Sequence, residues 1–304
     1  MSKILVCGNT TADIITVCNE PYNPSGKRSV AEYKVLPGGQ AANAAVLLAN
    51  LCNKVSFVGA IGNDAMAQII KDDFVENEVY IAKSAFCEAP HHLGFVRVDQ
   101  MNDERLIDMY RHKDLSCDAP VVENLNISEY DCIYIDGHEP EISLKIGRLA
   151  KQYGILVISD MEEITKYSTD IIGISNVLVA PEKIVQDLAG NDDTEEALRA
   201  IYAKNELDCI VATRGENGCI GLDGKDLYDI SGCVVDVIDT TGAGDAFHGA
   251  FTHFWVRNYS TSECMAKANR IAAEKCCYVG PRMPMDVAKS FVSENGFNLP
   301  TASM

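Results

Sequence analysis

The stretch Asp239-Thr240-Thr241-Gly242-Ala243-Gly244-Asp245-Ala246-Phe247 places two glycines and a carboxylate where a loop becomes a helix. Phe247, Ala250, Phe251, Phe254 and Trp255 then recur at i, i+3, i+4, i+7 and i+8, the period of a buried helical face. A helix N-terminus exposes unpaired N–H groups and the positive end of the helix dipole, so it attracts an anion. Gly242 and Gly244 lack Cβ atoms, which lets that backbone approach a phosphate closely. Asp245, in the first turn, repels a bound phosphate but is well placed to take a proton from a hydroxyl attacking it. The combination points to phosphoryl transfer. In this reading Asp245 would be the general base, and the amides of Gly242, Ala243 and Gly244 would hold the transferring group. Taken alone, an acidic residue in a first helical turn is also accounted for by the dipole, and Gly-x-Gly is a weak motif.

Positioning such a loop requires a rigid frame. Short apolar runs at 4–7, 55–58, 133–135, 156–158, 177–179 and 209–211 read as buried strands. Helical patterns lie between many of them, near 40–52, 65–77, 141–153 and 195–205, and the first of these is apolar on nearly every side. This alternation predicts an α/β fold with a doubly wound, mostly parallel sheet flanked by helices. Two segments break the rhythm. Apolar and polar residues alternate through 31–35, and 93–98 with 105–110 look like a hairpin, so with 14–18 they predict a small, half-solvated sheet. Residues 113–126 form the passage back to the main sheet, and no internal repeat or flexible linker interrupts the chain.

Composition narrows the function classes. With 304 residues, 47% hydrophobic and 23% charged, the chain can build a substantial core. A net charge of −18 without a basic patch argues against nucleic-acid or anionic-membrane partners, although backbone amides and a helix terminus still suit a nucleotide phosphate. The 12 cysteines include no C-x-x-C pair, and Cys7, Cys132 and Cys209 lie in strand-like runs, which fits reduced cysteines in the cytoplasm. The opening Met1-Ser2-Lys3-Ile4-Leu5-Val6-Cys7-Gly8 reads as a first strand rather than a signal peptide, and no run is long enough to span a bilayer. Gly8-Asn9-Thr10-Thr11 lacks the dinucleotide Gly-x-Gly-x-x-Gly, so a nicotinamide dehydrogenase does not fit the first turn.

Two more segments bear on the chemistry: Pro37-Gly38-Gly39-Gln40-Ala41-Ala42-Asn43-Ala44-Ala45, and Gly8-Asn9-Thr10-Thr11-Ala12-Asp13 directly after the first strand. Together with 239–247, they resemble the signatures of the ribokinase-like (PfkB-type) carbohydrate kinases. They stand in the family's order and at its distances, over essentially the whole chain. The resemblance implies one kinase domain over 1–304, with strands from 13–37 and 87–115 inserted as a lid. It implies ATP and Mg²⁺, a sugar acceptor, and a homodimer through the lid. Asp13, Thr11, Gly39 and Asn43 become the sugar-binding residues; from the residues alone, Asp13 reads as a turn residue and Asn43 as a helix-interior polar group. Thr213-Arg214-Gly215-Glu216-Asn217-Gly218 is similar to the nucleotide-binding segment, with Thr213, Gly215 and Gly218 beside the nucleotide, and a plain turn is the alternative. Asn269 matches a position near the adenine, or is a satisfied buried amide.

The chain also departs from the family. Where relatives often carry Asn-Glu-x-x-Glu, here stands Ala180-Pro181-Glu182-Lys183, which leaves only Glu182 as an indirect metal candidate. Many relatives hold a monovalent cation through an Asp like Asp239, but the second half of that site falls at Gly280-Pro281-Arg282-Met283, where Arg282 is an unusual neighbour for a cation. Asp136-Gly137-His138-Glu139 resembles the ketose-kinase branch, and Asp136 or His138 could face the sugar. Arg105 and Arg111 could meet a phosphate on a phosphosugar, or be exposed strand residues. The leading expectation is an ATP-dependent sugar kinase acting on a ketose or pentose. The alternatives are a nucleoside kinase of the same fold and a catalytically silent sugar-binding homologue.

Overall fold

The computed structural model describes residues 1–18, 29–99, 104–117, 119–123 and 125–292. The chain opens with strands β1 (Lys3–Cys7), β2 (Thr11–Cys18) and β3 (Glu32–Gly38), then helix α1 (Gln40–Asn50). β4 (Lys54–Val58), β5 (Ala60–Ile61), α2 (Ala65–Glu76), β6 (Ala85–Phe86), β7 (Leu93–Asp99) and β8 (Glu104–Tyr110) follow. After α3 (Ala119–Glu123) come β9 (Cys132–Ile135), α4 (Pro140–Tyr153), β10 (Leu156–Asp160), α5 (Ser168–Ile174), β11 (Val177–Pro181), α6 (Glu182–Ala189) and α7 (Thr194–Lys204). The last part holds β12 (Cys209–Thr213), β13 (Cys219–Asp223), β14 (Asp226–Ile230), α8 (Ala243–Trp255), α9 (Thr261–Lys275) and α10 (Met285–Ser290).

The main sheet has eight strands in the order β14-β13-β12-β11-β10-β9-β1-β4. β4 through β12 run parallel, and β13 and β14 close one edge antiparallel. Each of the six expected apolar runs is a parallel strand, because a strand covered on both faces needs apolar residues at nearly every position; Ser56, half-buried in the edge strand β4, is the exception. Alternation then sorts them. Ile4 and Val6 join the core under α1, α8 and α9, while Leu5 and Cys7 join the core under α4, α5 and α7. In α1 every residue except Ala49 is buried, as its all-round apolar pattern predicts. The β13–β14 hairpin was not expected from the apolar pattern. Its signal is turn chemistry: Gly224, at φ 61°, in the two-residue loop between Asp223 and Asp226.

The second sheet has the order β3-β2-β7-β8. β2 pairs antiparallel with β3 and parallel with β7, and β7 pairs antiparallel with β8. Ile15 and Val96 are cross-strand neighbours and buried, so their face turns inward. On the other face Tyr33, Phe95 and Leu106 are exposed. Among the described residues no helix is long and apolar enough to cross a membrane, and no disulfide joins any of the twelve cysteines.

Candidate active site

Because β1, β9, β10, β11 and β12 run parallel, their carboxyl ends open on one edge of the sheet, and the loops leaving them gather there. α1 and α8 begin at the same edge. α1 starts after Gly39, whose φ of 94° and close approach to Thr10 (a Cβ would lie 2.5 Å from its Cα) suit glycine alone. α8 starts after Gly242, at φ 75°, where a Cβ would overlap the carbonyl of Pro281. Residues 280–282 therefore lie directly against the loop, which the local sequence does not reveal.

The loop before α8 is tied from within. Asp239 Oδ1 accepts from Thr241 N (2.8 Å) and Oδ2 from Gly280 N (2.8 Å). Burial works against the Asp239 carboxylate, but these hydrogen bonds hold its pKa below the usual range. Ala243 N donates to Thr240 O at 3.1 Å, so one of the three expected anion-binding amides is engaged by the turn. The amides of Gly242 and Gly244 have no acceptor among the described residues.

Asp245 is 8% exposed. Its Oδ2 accepts a 2.6 Å hydrogen bond from Asn43 Nδ2, joining the first turns of α8 and α1. Asn43 Oδ1 in turn accepts from Arg282 Nε at 2.9 Å, and the guanidinium also pairs with Asp73 of α2. Burial raises the Asp245 pKa to about 6; the Asn43 hydrogen bond, His248 and Arg282 pull it down, and Asp136 pushes it further up. A carboxylate in that range is ionised at neutral pH yet basic enough to accept a proton. Asn43, expected at the sugar, is thus also the hydrogen-bond partner of the expected base.

Behind Asp245 lie groups that sequence reasoning passed over. His248 Nδ1 is 2.7 Å from Gly244 O and 3.2 Å from Asp160 Oδ2. A carbonyl can only accept, so Nδ1 carries the hydrogen. Burial lowers the His248 pKa to about 4, so the ring is neutral. Tyr134 OH donates to Asp160 Oδ2 at 2.6 Å, and burial raises the Asp160 pKa well above the usual carboxylate range. Two residues on, the Glu162 carboxylate faces the anion loop: Oε1 would be 3.7 Å from a Cβ on Gly244. Glu162 is exposed as a residue, yet desolvation of its carboxyl, with Asp160 and Asp245 nearby, raises its pKa to about 9. The available signal was position: Asp160-Met161-Glu162-Glu163 leaves a parallel strand at its carboxyl end.

On the sheet facing this edge, Asp13 Oδ1 accepts from Thr11 Oγ1 at 2.8 Å, and its carboxylate fills the space left by Gly38 and Gly94. Burial raises its pKa, while Thr11 and Arg282 oppose that. Asp136 is pinned by backbone amides, from Asn9 (2.8 Å) and Ala41 (3.2 Å) on Oδ2 and from His138 (2.9 Å) on Oδ1. It holds the first turn and the α1 start in register. His138 lies between Gln40 Oε1 (3.0 Å) and the Arg111 guanidinium (3.4 Å). The side chain of Arg105 lies outside the described residues.

Thr213 ends β12, and Gly215 and Gly218 shape the turn after it, closed by Arg214 N to Gly218 O at 2.7 Å. Asn269 Nδ2 donates to Ile230 O (3.4 Å) and Ser231 O (3.2 Å), and Gly218 packs on the same carbonyls, so these four expected residues share one neighbourhood. Glu182 Oε1 instead accepts from Thr194 Oγ1 of α7 at 2.7 Å. A concavity of about 550 Å³ lined by Lys3, Asn53, Lys54 and Tyr130 lies at the opposite, amino-terminal edge, away from these groups.

Comparison with known proteins gives this arrangement a class. Residues 1–288 match the model of the pfkB family carbohydrate kinases, and the chain belongs to that family of phosphotransferases. A ribokinase of Lactococcus lactis is 27% identical over 98% of this chain and 100% of its own. Ketohexokinase of Mus musculus is 22% identical over 90% of this chain and 96% of its own, so the ketose branch is the more distant of the two. Among solved structures, an Arabidopsis thaliana ribokinase complexed with ribose and ATP superposes with a TM-score of 0.81 at 20% identity, covering 96% of this chain and 98% of that one. That likeness supports the ribokinase fold: a mostly parallel eight-stranded sheet with a separate four-stranded lid sheet.

Proposed function

We propose that this protein is an ATP-dependent sugar kinase that moves the γ-phosphoryl of Mg-ATP onto a sugar hydroxyl. A pentose is favoured over a ketose, because the ribokinase match is the stronger one. One observation carries the reading: the Asp245 carboxylate, oriented by Asn43 and with a pKa near 6, sits one residue from the uncommitted amide of Gly244. In this reading Asp245 takes the acceptor hydroxyl's proton as its oxygen attacks phosphorus. The amides of Gly242 and Gly244 hold the equatorial oxygens, with Ala243 completing the turn that aims them. Asp13 and Thr11 grip sugar hydroxyls from the lid, and Gly39 brings the backbone close. Thr213, Gly215, Gly218 and Asn269 form the nucleotide's side of the crevice.

Glu162 is the acid placed to meet Mg²⁺ at this loop, whereas Glu182 is turned toward α7; without the ion its carboxyl is held neutral by a pKa of about 9, and a divalent cation there would favour the ionised form. The ion, when bound, neutralises phosphate charge, and Glu162 would hold it through water. Tyr33, Phe95 and Leu106 form an exposed apolar face on the lid sheet, which we propose as the contact of a homodimer. The test of the whole reading is an ADP-release screen with Mg-ATP against pentoses, ketoses, phosphosugars and nucleosides. Turnover with a free pentose supports it; turnover only with nucleosides replaces the acceptor, and none with any acceptor leaves a silent homologue.

A further inference from the structure

Lys275 closes α9 and is 1% exposed, which makes it one of the largest fully buried side chains in the molecule. Lysine is almost never buried to this degree unless its charge is matched. Its ammonium donates to Asp239 O at 2.7 Å and to Tyr278 O at 3.3 Å. These carbonyls flank the two segments that meet under the anion loop: 239–242, which leads into α8, and 278–282, whose Gly280 N binds the Asp239 carboxylate. The backbone of this hinge is tied to the same helix end, since Ile238 N and Asp239 N both donate to Cys276 O, at 2.8 and 3.1 Å. Carbonyls at a helix C-terminus favour a cation, and the nearby Asp239 carboxylate matches its charge.

We infer that Lys275 is a tethered cation that fixes the anion loop from behind, in the place where the resemblance implied an exchangeable monovalent ion at Asp239. An exchangeable ion does not fit there. It would share the Asp239 carbonyl with an ammonium already 2.7 Å from that oxygen, and two like charges on one carbonyl repel in a buried setting. The inference rests on the kinase reading for its activity measurements, but not for its stability measurements. Lys275 acts as a positioning residue: it touches no reacting atom and orders the loop whose amides would hold the phosphoryl group. A void of about 20 Å³ lined by Lys275, Pro281 and Arg282 leaves room for about one small guest beside it once the side chain is shortened.

The test compares wild type and Lys275→Ala in potassium, ammonium and N-methylglucamine chloride at equal ionic strength, by thermal unfolding and by turnover. The wild-type Tm and rate are expected to be the same in all three salts. Lys275→Ala should lose about 10²-fold in turnover, the size of one lost anion-hole donor. Ammonium and potassium should restore much of that loss and raise the variant's Tm, whereas N-methylglucamine, too large for the void, should do neither. A wild-type Tm or rate that rises with potassium overturns the inference. So does a folded Lys275→Ala variant that keeps its rate, or one whose loss no small cation repairs. Should Lys275→Ala fail to fold, the wild-type salt comparison decides. A protein inactive with every acceptor defeats the kinase reading and leaves the Tm comparison still decisive for Lys275.

Discussion

The start of α8 and the four-stranded sheet face each other across the carboxyl edge, yet they are built on opposite terms. From Asp245 to Phe254 every residue of α8 is buried, wedged between α1 and α9. In β3, Glu32, Tyr33 and Lys34 are exposed, and the sheet keeps one face to solvent. The first region can hold a carboxylate at a raised pKa with a fixed partner, because burial removes the water that would compete. The second holds one half-buried carboxylate, Asp13, on its inner face but leaves its other face open, which would suit binding and release of an acceptor and contact with another copy. Damage to α8 should therefore appear in the chemical step, and damage to the lid in acceptor affinity and assembly.

The largest expected effect is Asp245→Asn, which should cut kcat by roughly 10²–10⁴-fold with ATP affinity nearly unchanged. Single-turnover rates and nucleotide titration measure both; near-normal turnover would remove Asp245 from the mechanism. Gly242→Ala should follow, since its Cβ overlaps Pro281 O and its φ of 75° disfavours a side chain. About 1–3 kcal/mol of stability should go, seen in denaturant unfolding, and kcat should drop as the loop shifts. An unaltered variant would mean that 280–282 yields freely.

On the lid, Asp13→Ala should raise the sugar KM by about 10- to 100-fold, the worth of a charged hydrogen bond, with a smaller change in kcat. Equal losses in kcat would move Asp13 from the lid's role to the chemical one. The pH profile sharpens the contrast. Asp245 must be ionised to act, so kcat should fall below about pH 6 on a single acid limb that Asp245→Asn abolishes. The stability sign is opposite to that of a paired surface carboxylate. The folded pKa lies above the ordinary 3.8, so ionisation costs the native state stability as pH rises from there through about 6. Any stability gained by Asp245→Asn should thus appear above pH 6 and vanish near pH 3. The smallest effect on chemistry belongs to Tyr33→Asp with Phe95→Asp, which should leave kcat near wild type and shift the mass in light scattering from dimer to monomer. A wild-type monomer at all working concentrations would end the dimer proposal.

What could be read locally was read well. The six parallel strands declare themselves as short apolar runs, broken only by Ser56 in β4, and α1 by its lack of a polar side. The loop-to-helix junction at 239–245 is contiguous, so its glycines and carboxylate are visible in the sequence, but the anion-site reading leaned on the other two motifs as well. Glu162 was legible only as an acid after a strand, and Glu182 drew attention by family position although Thr194 engages it. His248 and Lys275 look like ordinary helix residues until their burial is known.

By itself, then, the amino-acid order determined the layers, the strand direction and the loop-to-helix turn at 239–245, because hydrophobic period, glycine backbone freedom and helix-end polarity act over a few residues. Only the tertiary structure decided which partners these groups meet. Asn43 lies 202 residues from Asp245, and Lys275 lies 36 from Asp239. Such pairings follow from how α1, α8 and α9 pack over the sheet, and helix packing depends on side-chain fit across the whole layer, which no local pattern encodes.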